Sequence, residues 1–274
     1  MLESSHPLPD MSTLSSTERQ LDELYTSSED TLMLTLMSGG GSALFECLSS
    51  PVYTEEMITL QDLTMMNQLL INCGASINEI NVVRKHVSQV KGGQMAKHAY
   101  QSKKVKQVVG LYLSDVVGND LSSVASGPTL PDPSSFVDAM SIVDRYGLLE
   151  KLPPSISDRL KAGLTKSELE TPKADNVMFD HVCNILIGSA DTSALSAKAF
   201  LETIRLENVD TPAFDHIDIF SNSLSGEASQ FGAGLVDLIR QLHAGQKGKT
   251  AAYLATGEFT VTIKGKGRGG RNQE

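Results

Sequence analysis

Tryptophan is absent from the 274-residue chain, and aromatic residues make up only 5% of it. A surface that grips nucleic acid by stacking bases on rings therefore has little to draw on. Positive charge is also scarce: 23 Lys and Arg stand against 33 Asp and Glu, a net charge of −10. That balance argues against a bulk electrostatic hold on DNA or on an anionic membrane. Cys47, Cys73 and Cys183 are too few and too widely spaced for a disulfide framework or a zinc site, so reduced, inert thiols in the cytoplasm are expected. No apolar run approaches the roughly 18 residues of a membrane span. The opening Met1 to His6 has neither a basic nor an apolar region, so no signal peptide is expected. What the chain does have is 40% apolar residues, too many for a disordered acidic tail, at a length that suits one large or two ordinary domains.

Gly and Pro punctuate this apolar content into alternating patterns. Thr31 to Met37 reads as a buried strand running into the turn Ser38-Gly39-Gly40-Gly41-Ser42, with a helix from Ser42. Helices are expected over 54–73, ended by Gly74, over 76–89, and from Met95 to Tyr100. A second strand is expected at 107–113, a Ser/Gly/Pro/Asp-rich loop at 115–135, and helices at 136–146 and after Pro154. The polar stretch 164–178 reads as a linker or surface loop. A third strand is expected at 182–187, then helix 192–206, strand 216–220, helix 226–242, and strands 251–255 and 259–263. The order predicts an α/β fold: a mainly parallel sheet with helices on both faces, Rossmann-like in architecture. In open sheets of this kind ligands sit beyond the carboxyl ends of the strands. Here those ends are the triple-glycine turn, Ser114-Asp115 and Gly188-Ser189-Ala190-Asp191.

Three consecutive glycines let backbone amides converge on one spot and point to an anion cradle at Ser38, Gly39, Gly40, Gly41 and Ser42; a plain tight turn is the alternative. A rival is a nucleophile elbow at Ser42, with Leu44 standing where the motif wants its last Gly; no histidine singles itself out as a base for such a hydrolase. His243 to Thr250 resembles the end of a phosphate-binding P-loop but lacks its first Gly and precedes a strand, so it reads as a basic turn. Arg84 and Lys85 sit side by side on a helix, with Lys91-Gly92-Gly93 a turn or two later. Pairing with phosphate or carboxylate explains them, as does a solvated helix face. Asp115 and Asp120 close a strand and begin a loop; such acids can hold Mg²⁺ or accept a hydroxyl proton, or simply make turn hydrogen bonds. Ser126-Gly127-Pro128-Thr129 adds a rigid turn with two hydroxyls. The last thirty residues gather Lys247, Lys249, Lys264, Lys266, Arg268 and Arg271 against Glu258 and Glu274, a Gly-rich basic segment that suits phosphate or a small anion better than nucleic acid.

Taken in order, these segments resemble one family. They are His6-Pro7-Leu8-Pro9-Asp10, Leu36 to Ala43, Asn78 to Ser88, Lys91 to Gly93, Ser114 to Asp120, Ala125 to Thr129, Gly188 to Ala190, Gly257-Glu258 and Gly265 to Glu274. The set is similar to the glycerate 2-kinases whose C-terminal domain is called MOFRL, and covers nearly the whole chain. The resemblance implies ATP-dependent, Mg²⁺-assisted phosphorylation of D-glycerate to 2-phosphoglycerate, with ATP and D-glycerate as partners and neither nucleic acid nor membrane. It implies two α/β domains with the active site in the cleft between them. The division expected is 1–178, a glycerate-kinase-type domain lacking its first strands, and 179–274, a third-strand region with the start of a smaller MOFRL-type α/β domain. In site terms it implies catalysis by Asp115, with Asp120 second and Arg271 assisting, and Mg²⁺ at Asp115 and Asp120. Substrate and phosphate contacts would come from Ser38 to Ser42, Arg84, Lys85, Lys91, Ser126, Thr129, Glu258, Arg268 and Asn272. Family members carry a longer leading segment with a Gly-x-Gly-Lys-Ala-type motif, whose Lys is held to be catalytic, and a longer second domain. The chain is therefore expected to be cut at both ends and impaired in turnover, with a non-catalytic anion-binding fragment as the alternative; a longer mitochondrial form stays open beside the cytoplasmic one.

Overall fold

Strand β1 (Thr31–Met37) and strand β2 (Val105–Ser114) pair in parallel, with Leu34 opposite Val109 and Leu36 opposite Leu111. Strand β3 (Val182–Ser189) lies on the far side of β2, giving the order β1-β2-β3. The computed structural model describes residues 3–5, 9–48, 57–116, 118–207, 214–246 and 248–261. The chain divides into two units, Met1–Val116 with Asp120–Ile187, and Val117–Asn119 with Gly188–Glu274.

In the first unit the connections are helical, as parallel strands require. Helix α1 (Met11–Thr26) starts on an Asp10–Thr13 capping box, and α2 (Gly41–Leu44) is a single turn after the glycines. Helices α3 (Leu60–Asn72), α4 (Ile77–Val87) and α5 (Gln94–Ser102) follow, then α6 (Phe136–Arg145) and α7 (Pro154–Gly163) after β2. Helix α3 begins six residues later than the apolar pattern suggests, because Thr59 and Asp62 form a reciprocal cap that fixes its first turn. Leu63, Met66, Leu70, Ile80, Val83, Phe136, Val143, Ile156 and Leu160 fuse α3, α4, α6 and α7 into one core. A second core joins Leu21 and Leu24 of α1, Met95 and Ala99 of α5, and Val108 of β2.

That second core covers one face of the sheet. On the other, Leu32, Leu34 and Leu36 are 60%, 55% and 74% exposed, and Leu113, Ile185 and Ile187 are exposed with them. Helices were expected on both faces; among the described residues only one is covered. The apolar pattern of the strands is that of a doubly buried sheet, and half of it has no cover here.

The polar stretch 164–178 is not a free linker. Leu169, Thr171 and Met178 are buried, and Glu170 accepts from the His86 ring at 3.1 Å, the Phe136 amide at 3.2 Å and Lys173 at 3.1 Å. A carboxylate with that many donors pins the stretch against α4 and α6.

The second unit holds α8 (Ala190–Glu207), β4 (His216–Leu224), α9 (Ala228–His243) and β5 (Ala251–Gly257). Strands β4 and β5 pair in parallel, with Ile219 opposite Leu254, and α8 packs along both. The strand expected at 259–263 is reduced to one bridge between Thr260 and Glu227, with 262 and 263 outside the described residues.

Candidate functional site

The carboxyl ends of β1 and β2 bring the triple-glycine turn and the loop after Ser114 together. Gly40 has φ +82°, the left-handed conformation that favours glycine. Its neighbours need glycine for a different reason. A β-carbon on Gly39 would fall 1.7 Å from Asp115 Oδ2, and one on Gly41 would fall 2.7 Å from the Ala125 Cβ. The loop therefore rests directly on the turn. The Gly41 and Ala43 amides close the turn on Ser38 and Gly40 carbonyls, at 3.2 and 3.1 Å. The Gly40 and Ser42 amides have no acceptor among the described residues.

Serine hydroxyls make the third contact. Ser42 Oγ lies 2.8 Å from Ser126 Oγ, and Ser126 in turn donates to Asn81 Oδ1 of α4 at 3.4 Å. Ser126 is fully buried at φ +59°, between Ala125 at +51° and Gly127 at +60°. Two consecutive non-glycine residues held left-handed cost of order 1–3 kcal/mol each, strain that the surroundings must impose. The surroundings are the Gly92 and Gly93 amides, which donate to the Ser126 and Gly127 carbonyls at 2.9 and 2.8 Å. The Gly92 and Gly93 amides thus hold protein carbonyls, and the Lys91 amide donates to the Ser88 hydroxyl.

The acids differ in their surroundings. Asp115 is exposed against the glycine turn. Asp120 accepts from the Ser122 amide at 3.0 Å and from the Ser122 and Ser123 hydroxyls at 3.0 and 2.8 Å. Burial works to raise the Asp120 carboxyl, and these hydrogen bonds outweigh it with help from the Lys85 charge, so that it lies below its ordinary range. Among the described residues no three His, Cys, Asp or Glu side chains cluster closely enough to hold a metal by themselves.

The cations are sorted by their partners. Lys91 is buried, its ammonium on Glu46 Oε2 at 2.5 Å and on the Phe45 carbonyl at 3.0 Å. Glu46 is completed by Ser88 Oγ and the Cys47 amide. Burial pulls the Lys91 ammonium downward and the adjacent Glu46 holds it up. Lys91 therefore ties the end of α2 in place. Arg84 donates from Nε to Asn67 Oδ1 at 2.7 Å, with its own basicity lowered by burial. Lys85 is buried with Asp132 at 3.4 Å. Thr129 bridges the loop to the sheet: its hydroxyl meets Tyr112 and Asn184, each at 2.7 Å.

Of the residues expected in a site, the structure gathers Ser38 to Ser42, Asp115 and Ser126 around one turn, with Asn81 and Lys85 one helical turn apart behind it. Lys91 and Thr129 sit behind this surface with their polar groups committed. Glu258 belongs to the second unit, its amide on the Leu224 carbonyl at 2.9 Å. Arg268, Arg271 and Asn272 lie outside the described residues, as do His6 to Leu8. Sequence reasoning passed over Asn81 as a partner of Ser126, and Asp132; the signals were the four-residue spacing from Asn81 to Lys85 and an Asp held between Pro131 and Pro133.

The chain is similar to known proteins along nearly its whole length. A family model described as a domain of unknown function, DUF4147, matches residues 1–161. Glycerate 2-kinase of Pyrococcus horikoshii is 37% identical over 279 residues, covering 100% of this chain and 58% of its own length. D-glycerate 2-kinase of Thermotoga maritima is 35% identical, covering 99% of this chain and 58% of its own length. The crystal structure of the Thermotoga maritima glycerate kinase superposes with a TM-score of 0.76 at 34% identity, over 98% of this chain and 58% of that one. The chain thus spans 58% of the length of these two relatives. Among the described residues no helix is long and apolar enough to cross a membrane.

Proposed function

The chain belongs to the DUF4147 family together with the glycerate 2-kinases, and from that membership we propose that its first unit carries the site for ATP-dependent phosphorylation of D-glycerate to 2-phosphoglycerate. One observation carries the reading: a carboxylate, a serine hydroxyl and two backbone amides without an acceptor among the described residues meet on a turn that only glycine can form. Phosphoryl transfer asks for little covalent work from a protein; it asks for placement and for neutralised charge.

Bound ATP supplies the phosphoryl group, and an accompanying Mg²⁺ would offset its charge. Mg²⁺ takes one or two carboxylates and fills its other positions with phosphate oxygens and water, so an exposed Asp115 beside the turn fits it without an all-protein cage. The Gly40 and Ser42 amides and the Ser42 hydroxyl hold phosphate oxygens. Asp115 stands where it either accepts the proton of the attacking hydroxyl or ligates the ion. Arg84 and Lys85 face the negative charge of the substrates from α4, and Asp120 orders the loop between them. Glu258, Arg268, Arg271 and Asn272 are proposed as substrate contacts on the family resemblance. The protein is proposed to work on small molecules in the cytoplasm.

The test is formation of 2-phosphoglycerate from ATP and D-glycerate, read through enolase, which accepts the 2-phosphate and not the 3-phosphate. Enolase-detectable product that needs both substrates supports the reading. A chain that neither turns over nor binds ATP and D-glycerate by calorimetry overturns it. Fluorophosphonate labelling of Ser42 in place of turnover would favour hydrolase chemistry instead.

A further inference from the structure

The first unit contains two buried lysines with opposite degrees of satisfaction. Lys91 has two close acceptors, and its partner Glu46 has donors on both oxygens. Lys85 is as deeply placed, with 7% of its side chain exposed, yet its single acceptor among the described residues is Asp132 Oδ1 at 3.4 Å. An ammonium carries three donors, and leaving them unmatched in a buried place is costly. Asp132 is incomplete in the same way. Its Oδ1 also takes the Ser134 amide and hydroxyl, at 3.1 and 2.7 Å, while its Oδ2 is buried without a donor among the described residues. Gly92 makes this packing possible, since a β-carbon there would lie 3.1 Å from the Lys85 Cβ and 3.2 Å from Asp132 Oδ2. Asn81, one turn before Lys85 on α4, faces Ser126 and hence Ser42.

We propose that Lys85 receives the carboxylate of the hydroxy-acid substrate and that Asp132 is the positioning residue that aims it there, an assignment that rests on the kinase reading above. Asp132 is anchored by its own turn, with its amide on the Pro172 carbonyl at 2.9 Å, so it is a fixed point against which a flexible lysine stem can be set. A carboxylate is favoured over a phosphate by charge. Lys85 already has Asp132 beside it, and its field reaches Asp120. Both anions meet those two carboxylates, and a singly charged oxygen acid is repelled less there than a doubly charged phosphate. The phosphates have the glycine turn instead. The contrast with Lys91 also separates two residues that the sequence offers as equals: one fastens the fold, the other has donors left for a ligand.

Calorimetric titration of the 274-residue chain with D-glycerate, with ATP and with inorganic phosphate tests this, comparing wild type, Asp132→Asn, Lys85→Met and Lys85→Arg. Asp132→Asn keeps the turn and removes the charge. The expected result is that Asp132→Asn and Lys85→Met weaken D-glycerate by about tenfold or more, equivalent to about 1.4 kcal/mol. ATP affinity and the unfolding midpoint stay close to wild type, and Lys85→Arg recovers part of the loss. Unchanged D-glycerate binding in Asp132→Asn and Lys85→Met overturns the inference while the kinase reading stands. So does an equal loss for both substrates, which marks a structural role, or a loss confined to phosphate. A wild-type chain that binds neither ATP nor D-glycerate overturns the kinase reading itself, and this assignment with it.

Discussion

Gly39 has no room for a β-carbon, because the Asp115 carboxylate occupies that place. Gly39→Ala is therefore expected to push Asp115 off the turn and not to unfold the chain, since both residues are exposed. A misplacement of about 1 Å costs about 10²-fold in rate, and a loss of that order in the enolase-coupled assay, with an unchanged unfolding midpoint, is the expected outcome. Asp115→Asn keeps the shape and removes the base or ligand; turnover is expected to fall roughly 10²–10⁴-fold with little change in ATP affinity. Lys91 behaves in the opposite sense. Lys91→Met leaves Glu46 buried without its counter-charge, and urea denaturation should show a loss of about 3–5 kcal/mol. The acid and the glycines could be read from the sequence because strand ends and glycine runs are local signals. The difference between Lys85 and Lys91 could not, because it depends on Glu46 and Asp132, which lie 45 and 47 residues away from them along the chain.

Helix α4 turns Asn81 towards Ser126 and Lys85 towards Asp132, Arg84 towards Asn67 of α3, and His86 towards Glu170. The His86 ring is fixed from within the helix and from beyond it: Nδ1 meets the Val82 carbonyl of α4 at 2.7 Å, Nε2 meets Glu170 at 3.1 Å, and the ring lies edge-on to Phe136 at 4.6 Å. Burial alone would raise the Glu170 carboxyl, but hydrogen bonds from His86, from the Phe136 and Thr171 amides and from Lys173 carry it far below its ordinary 4.5. A carboxylate depressed in the folded state stabilises the fold fully above its unfolded value and loses that contribution as pH falls towards its folded one. Glu170→Gln should therefore be less stable than wild type in urea at pH 7, by about 1–3 kcal/mol, with the gap closing progressively below pH 4.5. A gap that stays constant down to acid pH would remove Glu170 as the latch. Most of the elements were legible in the sequence, β1, β2, β3, α4 and α6 nearly to the residue, because each is bounded by Gly, Pro or a Ser cap. The stretch 164–178 was not. Its polarity suggests a linker, and only the folded chain shows that one of its carboxylates gathers donors from α4 and α6.

For the molecule as a whole, what the sequence expresses most clearly is the doubly apolar strand pattern, and among the described residues only half of it is covered. Val108 is buried under α1 and α5, and Thr35 and Tyr112 are buried on the same face, while Leu32, Leu34, Leu36, Leu113, Ile185 and Ile187 form an apolar face across the three strands that is open among the described residues. A contiguous patch of this kind on a soluble chain promotes association, because covering it removes apolar area worth about 25 cal/mol per Å². The net charge of −10 opposes close approach, and salt screens that opposition. The two effects set a concrete expectation. Sedimentation velocity should show the chain associating more as ionic strength rises, and Leu34→Lys with Leu36→Glu should abolish that trend. The substitutions lie on the face away from the core that holds Val108, so ATP affinity should not change. Association that weakens with salt, or that survives both substitutions, would show that charge pairing rather than the open sheet governs how these chains meet.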